Sequence, residues 1–231
     1  RSPPSVILPV PAEPGSLKLR LIYAKPNTMV GPYVLRHNAT SDREAVRWMG
    51  GRMYKLLLAE HRDYRITLHH YSDVPTEKLV ITFGDVYSGL ETEPFALKFT
   101  SNRRIDTISV AQKAGTQFQG LCLDDFSYAV AKEADGRDVI CYGSGLGGYA
   151  AIYYGGAVDA RIIAVSPVFP ALPSPKQKNI ASPILFHEKL NNAPKSSQQP
   201  AIIYDPMLLS GKEVVDKMII PAYPKSRTLE L

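Results

Sequence analysis

A β-branched run that stops at a glycine cluster and turns at once into a small-residue helix limits the folds open to this chain. Residues 138–156 read DVICYGSGLGGYAAIYYGG. Asp138–Tyr142 has strand character, Gly143, Gly145, Gly147 and Gly148 allow a turn that side chains would block, and 146–155 follows as a helix. A strand that feeds a helix through a tight turn belongs to a parallel arrangement, because the helix must run back along one sheet face before the next strand begins.

The rest of the chain repeats that rhythm. Further strands are expected at Arg65–Tyr71, Lys78–Phe83, Thr107–Ala111, Arg161–Val165 and Ala201–Tyr204, with helices near 91–101, 124–135 and 210–219. Asp124 reads as the N-cap of one helix and Gly136 as its stop. Upstream, Leu17–Ala24 alternates as a half-buried strand does. Ser41 with Glu44 forms a capping box for a helix reaching about Arg62, with Ala45, Trp48, Met49, Met53, Leu56 and Leu57 on its apolar side. The expected fold class is therefore α/β, a mostly parallel central sheet covered by helices on both faces in three layers. Five prolines in residues 1–16 make that stretch an extended arm ahead of a single domain at 17–231. The proline-rich stretch 166–200 breaks the rhythm and reads as a lid or excursion loop.

Composition narrows the function. The 231 residues are 45% hydrophobic and 21% charged, as in an ordinary globular protein, with a formal net charge of only +5. The 27 basic residues are scattered, which argues against nucleic-acid binding. Cys122 and Cys141 are the only cysteines, without metal-ligand spacing, so buried thiols, no metal and a cytoplasmic setting are expected. No apolar run reaches the roughly 18–20 residues of a membrane span, and the opening residues lack the layout of a secretory signal. The missing initiator methionine and the strand-like ending Arg227–Leu231 suggest a piece of a longer chain.

The glycine turn admits three readings. In a nucleophile elbow, G-x-S-x-G, the apex side chain projects above the sheet while small residues two positions away let strand and helix pack closely. Gly145 holds the apex here, flanked by Gly143 and Gly147 and followed by Gly148. The Leu146 amide would be one oxyanion donor and the turn at Gly84 would supply the second. Asp205, just past Ala201–Tyr204, falls where a triad acid stands in the order Ser, Asp, His, and His187 is the only histidine after the elbow. Ser144 is one residue early for the nucleophile. His69 and His70 precede the elbow and, adjacent on a strand, face opposite ways. In the second reading Gly143, Gly145 and Gly148 form a dinucleotide-binding G-x-G-x-x-G, but the next strand ends in Ser166-Pro167 instead of an acid, and Asp159 precedes that strand. In the third, glycine at the apex removes both hydroxyl and strain, leaving a non-catalytic fold that binds a glycan or a protein partner.

The stretch 142–156, YGSGLGGYAAIYYGG, together with Ala164–Pro167 and Tyr204–Pro206, resembles α/β-hydrolase-type esterase domains. It is most similar to bacterial ones encoded among surface-polysaccharide genes, which read Y-G-S-S-x-G-x-Y-A-A. The resemblance runs from about Lys78 to the end and implies a serine enzyme that cleaves or transfers acyl groups on small molecules or decorated glycans, without a cofactor. Gly145 stands where those proteins carry serine, and the chain stops before their C-terminal histidine, so an inactive or very weak enzyme is expected.

Overall fold

The computed structural model describes residues 18–20, 33–35, 54–71, 74–169 and 190–231. Ten strands form one sheet: β1 (Lys18–Arg20), β2 (Tyr33–Leu35), β3 (Tyr54–Glu60), β4 (Tyr64–His70), β5 (Lys78–Phe83), β6 (Asp106–Gln112), β7 (Asp138–Ser144), β8 (Arg161–Val165), β9 (Ala201–Tyr204) and β10 (Arg227–Glu230). Their spatial order is β1-β2-β3-β4-β6-β5-β7-β8-β9-β10. From β6 across to β10 every pairing is parallel, while β4 runs antiparallel to both β3 and β6. Strands β6 and β7 flank β5 on opposite sides, so the chain leaves β5 one way and β7 the other. The crevice between their carboxyl ends is the topological switch point where such sheets bind ligands.

Among the described residues the α-helices of five residues or more are α1 (Leu97–Ser101), α2 (Leu123–Ala134), α3 (Leu146–Gly155) and α4 (Leu209–Val214), the last continuing through a π-helical turn at Val215–Ile219. Every residue of α3 is buried. A helix apolar all round has to lie inside the molecule, and α3 sits against β7, β8 and β5. Tyr154 of α3 stacks on Phe83 at 5.6 Å between ring centroids and tilts against Phe126 at 4.9 Å. Its hydroxyl donates to the Leu121 carbonyl at 2.6 Å, which satisfies a polar atom at the centre of the core. On the opposite face Phe95, leading into α1, packs on Tyr142 at 5.1 Å. That gives the expected three layers.

The strands expected from Lys78 onward are all present, three of them with the expected bounds, and Arg227–Glu230 is indeed a strand. Other expectations need correction. Tyr54–Glu60 is not the end of a helix but β3, paired antiparallel with β4 through the turn at 61–63 and bulged between Leu57 and Ala59. Its run of leucines satisfies either period, and pairing with β4 decides the outcome. The first half of that expected helix, the arm at 1–16 and most of the excursion, 170–189, lie outside the described residues. The N-cap of α2 is Cys122, whose sulfur accepts from the Asp125 amide at 3.3 Å, while Asp124 lies in the first turn. Only Leu97–Ser101 of the helix expected over 91–101 forms. Among the described residues no helix is long and apolar enough to cross a membrane, and no cluster could hold a metal.

At the end of the sheet away from the glycine turn, charges are buried. Asp106 is fully buried and accepts from His70 Nδ1 at 3.0 Å, the Thr76 amide at 3.0 Å and Arg137 Nη2 at 2.8 Å. Burial pushes its carboxyl up, but the His70 hydrogen bond and charge and the Thr76 and Tyr71 amides outweigh that and hold it below the ordinary carboxylate range. His69 points to the other face and shares a hydrogen bond with Ser109 Oγ at 2.9 Å. Burial, with help from the Lys55 charge, pulls its imidazole from 6.5 down to about 3. The unfolded chain therefore takes up a proton at His69 that the native protein refuses, so stability is lost as pH falls through that window. Urea titrations are expected to show unfolding free energy falling by on the order of a few kcal/mol from about pH 6.5 towards about pH 3, with His69→Gln flattening the slope.

Candidate functional site

The end of β7 is shaped by backbone meeting backbone. A Cβ at Gly143 would lie 2.8 Å from the Gly148 nitrogen and nearer still to the Gly147 carbonyl. One at Gly147 would lie 2.8 Å from the Gly84 carbonyl and nearer still to that of Phe83. Both positions accept only glycine, because α3 enters closer to the ends of β5 and β7 than any side chain permits. Gly145, between them, has φ 57 and ψ −123, a conformation that strains any residue with a side chain. Its amide donates to the Val165 carbonyl at 2.9 Å, and its carbonyl accepts from the Val168 amide at 3.1 Å. The end of β8 thus clamps the apex in place.

Across the switch point stands Asp85, in the turn after β5. Its Oδ1 accepts from the Leu146 amide at 3.2 Å and from its neighbour Val86 at 2.7 Å. Two amides from two different elements converge on one oxygen, as an oxyanion hole requires. The Asp85 carbonyl is itself held by the Ser88 amide at 2.9 Å and by Gln112 Nε2 at 3.4 Å. Gln112 Oε1 in turn accepts from the Phe118 amide at 2.9 Å, which fixes the orientation of its amide.

Neither a family model nor a curated protein sequence matches the chain. Solved structures do. The capsule O-acetyltransferase of Neisseria meningitidis serogroup A is similar with a TM-score of 0.55 at 14% identity, over 79% of this chain and 87% of that one. An esterase from Pyrococcus furiosus is similar with a TM-score of 0.50 at 12% identity, over 90% of this chain and 89% of that one. This chain has the α/β-hydrolase fold. At 14% and 12% identity the likeness is one of fold.

Within the α/β-hydrolase frame the expected site residues part company. Gly143, Gly145, Leu146, Gly147 and Gly148 assemble as one turn. Gly84 stays beside it, its α-carbon packed against Ser88, but the amide that converges with Leu146 belongs to Val86. Ser144 alternates with Gly143, whose missing side chain would point at α3, so Ser144 is directed to the opposite face and is half-buried there. Asp205 folds back on its own turn, with Oδ1 accepting from the Met207 amide at 2.8 Å. That is an Asx turn, and no histidine among the described residues meets Asp205. His187 lies outside the described residues. His69 and His70 are buried between β4 and β6, each bonded to a residue of β6. For the dinucleotide reading, a pyrophosphate at the N-terminus of α3 would have to displace the Asp85 carboxylate and meet its charge.

Asp85 and Val86 escaped the sequence reading. The available signal was Gly84-Asp85 directly after the largely apolar strand Lys78–Phe83, which placed the turn without saying which amide points inward. Gly143→Ala is expected to cost about 3 kcal/mol or more, since backbone atoms stand in the way. Gly211→Ala, where a Cβ in α4 meets nothing within 4 Å, is expected to gain about 0.5–1 kcal/mol. Chemical denaturation of the two variants checks the contrast.

Proposed function

We propose that this chain is an α/β-hydrolase-fold protein of the serine esterase or acyl-transfer type whose nucleophile position is empty, so that it is inactive or very weak in ester cleavage. The carrying observation is Gly145 at the apex, in the strained conformation that presents a nucleophile, with the Leu146 amide beside it. Chemistry of this type needs an attacking oxygen at that point, and losing the nucleophile of a serine hydrolase costs on the order of 10⁶ in kcat. The proposed site is therefore Gly145 as nucleophile position, Leu146 and Val86 as oxyanion donors, and Gly143, Gly147 and Gly148 as the turn that shapes them. Ser144, Asp205 and His187 are the expected partners for residual chemistry; among the described residues nothing around Ser144 or Asp205 supports it, and His187 lies outside them.

The ligand class in this reading is a small-molecule or glycan ester. Two features support it: the motif resemblance to surface-polysaccharide esterases, and the structural likeness to a protein described as a capsule O-acetyltransferase. An acetyltransferase and an esterase differ in whether the acyl group ends on a sugar hydroxyl or on water, and the same cleft serves either. Tyr87, one residue beyond Val86, is almost fully exposed and offers a flat apolar ring beside the cradle. A second reading, a glycan- or protein-binding module without chemistry, rests on the same apex glycine. Buried Cys141 and half-buried Cys122, both free thiols, suit a cytoplasmic location.

Hydrolysis of p-nitrophenyl acetate tests the reading. The chain as it stands is expected to release nitrophenol no faster than its Ser144→Ala variant, and both close to buffer. Turnover that disappears with Ser144→Ala would overturn the empty-nucleophile reading. Labelling by a fluorophosphonate of Gly145→Ser combined with Asp85→Ala and a histidine-bearing C-terminal extension, absent in the parent chain, is the result expected if the scaffold is of the serine-hydrolase type.

A further inference from the structure

A Cβ at position 145 would lie 2.9 Å from Asp85 Cγ and 3.2 Å from Oδ2, with Oδ1 nearer still. The carboxylate that accepts from Leu146 and Val86 therefore occupies the space of a side chain at the apex. The Asp85 backbone is pinned through its carbonyl by Ser88 and Gln112, so only rotation of the side chain can vacate that space. Rotation gives up two hydrogen bonds to an ionised acceptor, which are among the stronger ones available to a protein.

The geometry points to Asp85 as the internal occupant of the acyl-oxygen cradle: its carboxylate and any side chain at 145 exclude each other, and the cleft admits a ligand's carbonyl or carboxylate oxygen only when Asp85 swings out. This rests on the hydrolase reading of the cleft and adds a residue to it. The loss of chemistry then has two parts, the absent hydroxyl at 145 and the carboxylate seated where the developing oxyanion would sit. Replacing Gly145 alone is not a simple restoration, because the new side chain first has to expel Asp85.

A double-mutant cycle with Gly145→Ala and Asp85→Ala tests the exclusion without any chemistry, read by thermal unfolding and by the amide proton resonances of Val86 and Leu146. Asp85→Ala is expected to lower Tm and move both resonances upfield, as two charge-assisted hydrogen bonds are lost. Asp85→Asn, which keeps an oxygen on the cradle, is expected to move them much less. Gly145→Ala is expected to move the same two resonances in the same direction. Asp85→Ala made on top of Gly145→Ala should then lose little further Tm, leaving the cycle clearly non-additive. An additive cycle, or Gly145→Ala with both resonances at their wild-type positions, overturns the proposal. Should Gly145→Ala fail to fold, resonances unmoved in Asp85→Ala overturn it equally. These outcomes are independent of ester turnover, so a binding module with no esterase ancestry would leave the serine variant unlabelled by fluorophosphonate while still passing this test.

Discussion

The approach of the α3 backbone to the carbonyls at the ends of β5 and β7 governs the rest of this molecule. Gly147 lies against Phe83 and Gly84, and Gly143 against Gly147 and Gly148. Because no side chain intervenes, the first turn of α3 is drawn down onto the sheet and its free amides are delivered to the switch point. The same closeness makes α3 a wholly interior helix, and that in turn requires the aromatic packing of Tyr154 on Phe83 and Phe126. Position 145 inherits its dihedral angles from this fit. It would hold them with any residue the site could tolerate.

The two ends of the sheet are built on opposite principles. At the carboxyl end, shape comes from glycine backbone, with amides left pointing inward and one carboxylate to receive them. At the other end, shape comes from buried charge: Asp106 gathers His70, Arg137 and two amides, and Arg137 Nε is left without a partner. Removing one member of such a buried set is worth about 3–5 kcal/mol, far more than an exposed pair. That knot ties the starts of β6 and β7 to the end of β4. The carboxyl end is thereby free to carry unusual geometry without having to hold the sheet together.

Much of this was legible in the residues. Strands buried on both faces, such as Lys78–Phe83, announce themselves as apolar runs, and glycines at fixed intervals after a strand announce a turn that must be tight. What could not be read depends on partners distant in sequence. Leu56 and Leu57 fit a helix or a strand until β4 is seen beside them. Cys122 caps α2 in place of Asp124 because the chain arriving from Leu121, tied to Tyr154, fixes where the first turn begins. Asp85 and Gly145 are separated by two strands and two helices, and nothing local signals that one fills the space left by the other. Asp205 shows the converse, since its position in sequence suits a triad acid while its side chain serves the Asx turn.

Strain at the apex gives this architecture a direction in evolutionary time. A residue with a side chain held at such dihedral angles stores about 1–3 kcal/mol, a burden retained only while selection for turnover persists. Once that pressure lapses, a change to glycine removes the strain at unchanged dihedral angles, so departure from catalysis is downhill and needs a single codon. Under the hydrolase reading, return is uphill twice over, against the strain and against a carboxylate standing where the side chain has to go. A lineage that crosses this point behaves as a ratchet, free to acquire new roles for its cleft but with little chance of going back.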